Sequence, residues 1–100
     1  MYIIREVFTA KPGQASKLAK LFKKMQTSEM KGRIMTDMVG PYNTVVMEME
    51  VESLTEWEKS MKEYRSHSDA QKMDPALVEE MSHYHEMYQS GHREIFQIVE

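Results

Sequence analysis

Residues 45–51, VVMEMEV, alternate without a break. In an extended chain Val45, Met47, Met49 and Val51 point to one side. Val46, Glu48 and Glu50 point to the other, and Glu52 continues the acidic row. A period of two fits a half-buried strand and conflicts with the 3.6-residue period of an amphipathic helix. A strand of this kind has one apolar face to cover and two edges to pair, so the rest of the chain must supply strands beside it and a layer over it.

The partners are legible on either side. Residues 2–10, YIIREVFTA, are rich in aromatic and β-branched side chains and predict a strand that stops at Lys11-Pro12-Gly13. Ala15, Leu18, Ala19, Phe22 and Met25 then follow helical spacing. Residues 33–39, RIMTDMV, predict a second strand, and Gly40-Pro41-Tyr42-Asn43 a tight turn into the alternating segment. Ser53-Leu54-Thr55-Glu56 is a capping box that starts a second helix, with Leu54, Trp57, Met61 and Tyr64 as its apolar row. Asp74-Pro75 restarts a helix, with a staple from Met73 to Val78. Its apolar row runs through Leu77, Met81, Tyr84 and Tyr88 to a stop at Gly91. Residues 93–99, REIFQIV, predict the last strand. The order β-α-β-β-α-α-β is the α+β, ferredoxin-like split βαβ plan with its second helix doubled: a four-stranded antiparallel sheet with helices on one face.

That plan leaves the other sheet face bare, yet the first and last strands carry apolar residues on both faces. Tyr2, Ile4 and Phe8 oppose Ile3 and Val7, and Phe96 and Ile98 oppose Ile95 and Val99. A sheet wet on one side alternates more cleanly. The economical second cover is the sheet of another copy, so a homodimer is expected. Glu48, Glu50 and Glu52 then lie toward that face, where Arg5, Arg33 and Arg93 are the available counter-ions.

Bulk properties exclude several functions. The 100 residues suit one domain spanning 1–100. A net charge of −3 with scattered lysines lacks the basic stripe of a nucleic-acid binder. With no cysteine there is no thiol nucleophile or zinc–thiolate site. The apolar run Tyr2-Ile3-Ile4 ends at Arg5, too short for a signal peptide or a membrane span, so a cytoplasmic protein is expected. Phosphate loop, nucleophile elbow and dinucleotide fingerprint are all missing. The 11 methionines fill a core or line a deformable apolar pocket.

The stretches KPGQASKLAKLF, GPYNTVVMEMEVESLTEWE and GHREIFQIVE together resemble the dimeric α/β-barrel superfamily, which includes antibiotic-biosynthesis monooxygenase-like, haem-degrading and NIPSNAP-like proteins. The middle and last stretches look most like the NIPSNAP-like branch. The resemblance implies a homodimer whose two sheets form a barrel, with a pocket for a small apolar or aromatic ligand between each sheet and its helices. It implies a cofactor-independent monooxygenase as one activity, with a non-catalytic ligand-binding or assembly module as the alternative. Haem-degrading relatives use an Asn on the first strand, a Trp and a His ten residues later. Trp57 and His67 keep that spacing here, but Glu6 stands at the Asn position. No cofactor is therefore expected, and haem binding is the third reading.

Individual side chains follow. Glu6 shares a face with Tyr2, Ile4 and Phe8, and desolvation there makes it a candidate general base. His85, beside the Met81–Tyr84–Tyr88 row, is the candidate catalytic histidine. Trp57, Met47, Met61, Tyr84 and His67 are candidate ligand-binding residues. His83 and His85 are two apart and diverge on a helix, so they cannot share an ion. Glu80 and His83 have carboxylate–histidine metal spacing without matching ligands elsewhere, so no metal is expected.

Overall fold

A computed structural model of the chain describes residues 1–25, 32–65 and 75–99. Strand β1 (Tyr2–Ala10) leads to helix α1 (Ala15–Met25). Strands β2 (Gly32–Thr36) and β3 (Thr44–Val51) form a hairpin, followed by helices α2 (Leu54–Arg65) and α3 (Pro75–Ser82). A single 3-10 turn at Tyr84–Glu86 leads into β4 (Tyr88–Gln97). The four strands form one antiparallel sheet in the order β2-β3-β1-β4, the α+β ferredoxin-like arrangement.

Local chemistry shapes each junction. After β1, Gln14 N–H donates to the Lys11 carbonyl at 2.9 Å, with Pro12 inside the turn and Gly13 at φ +79°. This is a type II turn, whose third position needs the left-handed backbone that glycine adopts freely. At the start of α2, Glu56 N–H donates to Ser53 Oγ at 3.1 Å, as the capping box requires. In the hairpin, Thr44 N–H donates to Asp37 Oδ1 at 3.1 Å. That bond ends β2 at Thr36, so Met38 and Val39, expected inside the strand, stand 97% and 98% exposed in the turn.

The core lies where α1 crosses β1 and β3. Ala10, Leu18, Phe22 and Val45 are buried, and Phe8, Met47, Tyr84 and Tyr88 pack against them. Phe8 is held from both sides, its ring 5.1 Å from Phe22 and 4.9 Å from Tyr88. The Val45–Val51 row does face the helices. Its register sets Ile4 opposite Met49, Glu6 opposite Met47 and Phe8 opposite Val45. No helix among the described residues is long and apolar enough to cross a membrane.

The third helix is shorter than expected. It ends at Ser82, whose Oγ donates to the Glu79 carbonyl, and Tyr88 and Gly91 belong to β4. Gly91 therefore does not stop a helix. It pairs with Phe8 across the strands, and a Cβ added there would lie 2.8 Å from Phe8 Cδ1. The missing side chain makes room for the aromatic core.

On the open face one row of charge crosses the whole sheet. Glu94, Arg5, Glu48 and Arg33 are register neighbours on β4, β1, β3 and β2. Arg5 Nη1 donates to Glu94 Oε1 at 3.2 Å, Arg5 Nε lies 3.4 Å from Glu48 Oε2, and Arg33 donates to Glu48 Oε1 from Nε at 3.0 Å and from Nη2 at 2.6 Å. The expected pairing of β3 carboxylates with arginines thus holds for Glu48. Glu50 stands exposed opposite Ile3, and Glu52 lies beyond the end of β3. Arg93 faces the other way.

Candidate functional site

Among the described strand residues, the helix-covered face carries charge at one place. Register sets Glu6 of β1 opposite Arg93 of β4, and Arg93 Nε donates to Glu6 Oε1. The Arg93 guanidinium carbon lies 4.9 Å from the centre of the Trp57 ring on α2. A cation held over an indole face gains roughly 0.5–1 kcal/mol at a partly exposed position. Arg93 is thus held at two points, at Nε by Glu6 and over the indole by Trp57. The Glu6 side chain keeps 18% of its exposure and that of Arg93 40%, so the pair stands at the rim of the core.

Tyr84 closes the side toward the core. Its ring lies 6.4 Å from Phe22 and 5.7 Å from Tyr88. Burial raises its hydroxyl above the ordinary tyrosine value, with Tyr88 adding through charge and a hydrogen bond and Glu6 through charge. Tyr84 therefore stays a neutral hydrogen-bond donor at any physiological pH.

The structure brings Glu6, Trp57 and Tyr84 to this one face, with Met47 opposite Glu6 in the register. Glu6 does not stand among apolar groups alone, as the strand pattern suggested, because Arg93 is paired to it. Met61 is half-buried on α2. His85 is exposed, its ring edge-on to Tyr84 at 6.4 Å. His67 lies outside the described residues, as do Met73 and Asp74 of the proposed staple and cap. Glu80 and His83 do not converge: Glu80 pairs with Lys24 at 3.2 Å, and His83 with Glu79 at 3.3 Å. No group of metal-ligating side chains forms among the described residues.

Sequence reasoning missed Arg93 as a member of this site. It grouped Arg93 with the carboxylates of the open face, although Arg93 and Ile95 share strand parity and both lie on the helix side with Glu6 and Ile4. The signal was present in that parity, but only a register between β1 and β4 joins it to Glu6.

A concavity of about 680 Å³ lies elsewhere, between α1 and the β2–β3 hairpin, lined by Ala15, Ala19, Asp37, Met38, Gly40 and Tyr42. It is wide open and lacks a paired charge or a buried aromatic, so the Glu6–Arg93–Trp57 group carries the functional argument.

No protein-family model matches the sequence, and no curated protein matches it. Solved structures do. A NIPSNAP family protein from Agrobacterium tumefaciens superposes with a TM-score of 0.71 at 14% identity, covering 99% of this chain and 94% of that one. An uncharacterized NIPSNAP domain protein from Burkholderia xenovorans does so with a TM-score of 0.67 at 12% identity, covering 99% and 95%. An antibiotic biosynthesis monooxygenase-like protein from Chloroflexus aurantiacus gives 0.66 at 13%, covering 99% and 93%. The chain therefore shares the complete ferredoxin-like α+β fold of NIPSNAP and antibiotic biosynthesis monooxygenase-like proteins, and at these identities the likeness concerns the fold alone.

Proposed function

We propose that this chain binds a small, partly aromatic molecule on the helix side of its sheet, against Glu6, Arg93, Trp57, Met47, Met61 and Tyr84. The observation that carries the reading is the ion pair beside an indole on a face whose described strand residues are otherwise uncharged. Placing two charges at the edge of a core costs desolvation that a Leu–Ile pair would avoid, and departures of this kind mark functional places. Trp57 supports the reading further, because its Nε1–H is buried and donates to none of the described residues. Monooxygenase chemistry without a cofactor, with Glu6 as base, is the activity to assay once a ligand is known. A module that binds without turnover is the alternative.

The test uses protein labelled at the methionine methyls and the indole nitrogen, titrated with neutral fragments such as 2-naphthamide. Saturable shifts are expected at Met47, Met61 and the single indole resonance, and their loss in Trp57→Ala. Shifts confined to Met38 would move the site to the hairpin cleft and end this reading.

Assembly into a homodimer is supported by a separate observation. The open face carries Ile3, Val7, Met35, Val46 and the half-exposed Phe96 around the row Glu94–Arg5–Glu48–Arg33. Read across the sheet, the row is −, +, −, +. Turned about a two-fold axis parallel to the strands and laid on itself, every charge meets its opposite. Light scattering should give twice the 11.8 kDa of the chain at micromolar concentration, and Phe96→Lys should halve that mass with the fold retained. A folded wild-type monomer refutes the assembly.

A further inference from the structure

We infer that the ligand of this site is an organic acid, whose carboxylate is received by the terminal nitrogens of Arg93; this rests on the binding reading above. A guanidinium presents five N–H donors in a rigid fork and is matched to carboxylates two oxygens at a time. In Arg93 only Nε is engaged, by Glu6, and neither terminal nitrogen donates to a described residue. The fork end is therefore idle, while the group is held at Nε by Glu6 and over the Trp57 ring. A donor held in place before the ligand arrives loses little on binding.

The same sheet shows what such an arginine accepts. Arg5 also has a carboxylate beside Nε, that of Glu48 at 3.4 Å, and it takes a second at Nη1, that of Glu94 at 3.2 Å. Two carboxylates on one guanidinium are thus compatible with this fold. Arg93 has the first and lacks the second, so Glu6 does not bar an incoming anion. The body of the acid is set by the neighbours. Ile95, next to Arg93 on this side of β4, is 43% exposed, and Trp57 and Tyr84 supply aromatic surface. A flat apolar or aromatic body with its acid group directed at β4 meets these surroundings, whereas a sugar or a phosphorylated nucleotide meets too few donors.

The experiment compares 2-naphthoate with its neutral isostere 2-naphthamide by titration of the Trp57 indole resonance. Hydrogen bonds to a charged group exceed neutral ones enough to make the acid about tenfold tighter. Arg93→Gln should abolish the preference, so that acid and amide bind equally within that variant. Arg93→Lys, which preserves a cation beside Glu6 and protects the fold if the Gln variant does not express, should lose most of the preference because the fork is gone. Equal affinities for acid and amide in the wild type would overturn the acid assignment and leave the site standing. Binding of neither at Trp57 would remove the site itself. A preference for the acid that survives both substitutions would place the anion elsewhere and overturn the role of Arg93.

Discussion

Replacing Gly91 by Ala tests how tightly the aromatic core and β4 are joined. No positive backbone angle is required at Gly91, since Gly13 is the one described glycine with positive φ. In isolation the substitution would therefore stabilise by about 0.4–1 kcal/mol, through the unfolded chain. The new methyl, however, would sit 2.8 Å from Phe8 Cδ1 and 3.0 Å from Cε1. Phe8 cannot step aside cheaply, because Phe22 and Tyr88 hold its ring at 5.1 and 4.9 Å. Forcing one methyl into such packing costs about 1–3 kcal/mol, which exceeds the entropic gain. The net expectation is a loss of about 1–2 kcal/mol, or roughly 4–16 °C in Tm for a domain of this size. Urea unfolding followed by circular dichroism measures it. The same substitution in a Phe8→Leu background, where the ring edge is gone, should cost much less, a coupling of about 0.5–3 kcal/mol. A Gly91→Ala protein as stable as the parent, or an equal cost in both backgrounds, refutes the packing argument.

Three further outcomes are expected. Tyr84 has a raised hydroxyl pKa, so the folded state holds its proton more tightly than the unfolded state. Its contribution is complete below the ordinary value near ~10 and fades as pH climbs through the raised one, and Tyr84→Phe should flatten that part of the decline in urea midpoints above about pH 10. Tyr42 is 82% exposed at φ +65°, where a side chain costs about 1–2 kcal/mol, so Tyr42→Gly should raise stability by about 0.5–1 kcal/mol after the entropy of glycine is subtracted; an unchanged urea midpoint would count against strain in the turn. Haem titration should give no saturable one-to-one Soret transition, because the Glu6–Arg93 pair stands where a neutral amide would be wanted; a one-to-one transition abolished by His67→Ala would reverse this.

What could be read from the sequence was what local periodicity encodes. The alternation of Val45–Val51, the Pro12-Gly13 turn and the Ser53 cap each rest on neighbouring residues, and each is found where the pattern put it. The start of β4 was not legible. Tyr84 and Tyr88 are four apart, the spacing of a helix face, and Gly91 follows like a helix stop. What decides instead is the distant Phe8, whose ring needs the space at Gly91 and the edge of Tyr88. The candidate site was half legible for the same reason. The side of the sheet on which Glu6 and Trp57 lie followed from pattern, while Arg93 joined them only through a pairing across 87 residues of chain.

The charged pairs also bear on how the strands find their alignment. A slip of two residues keeps every side chain on its own face, so burial alone does not forbid it. Moving β3 by two against β1 would set Glu48 opposite Val7 or Ile3, and the same error in β4 would set Glu94 opposite one of those two. It would also part Arg93 from Glu6 on the far side, leaving Glu6 against Ile95 or Gly91. The β4 misalignment strands a carboxylate on an aliphatic or bare neighbour on both surfaces of the sheet at once, whereas a β3 slip acts on the open face alone, where Glu50 can take the place of Glu48 opposite Arg5. Ion pairs that add little to the depth of the native well therefore raise the nearest competitors of β4, and β1, with Arg5 on one side and Glu6 on the other, acts as the ruler against which β4 is set.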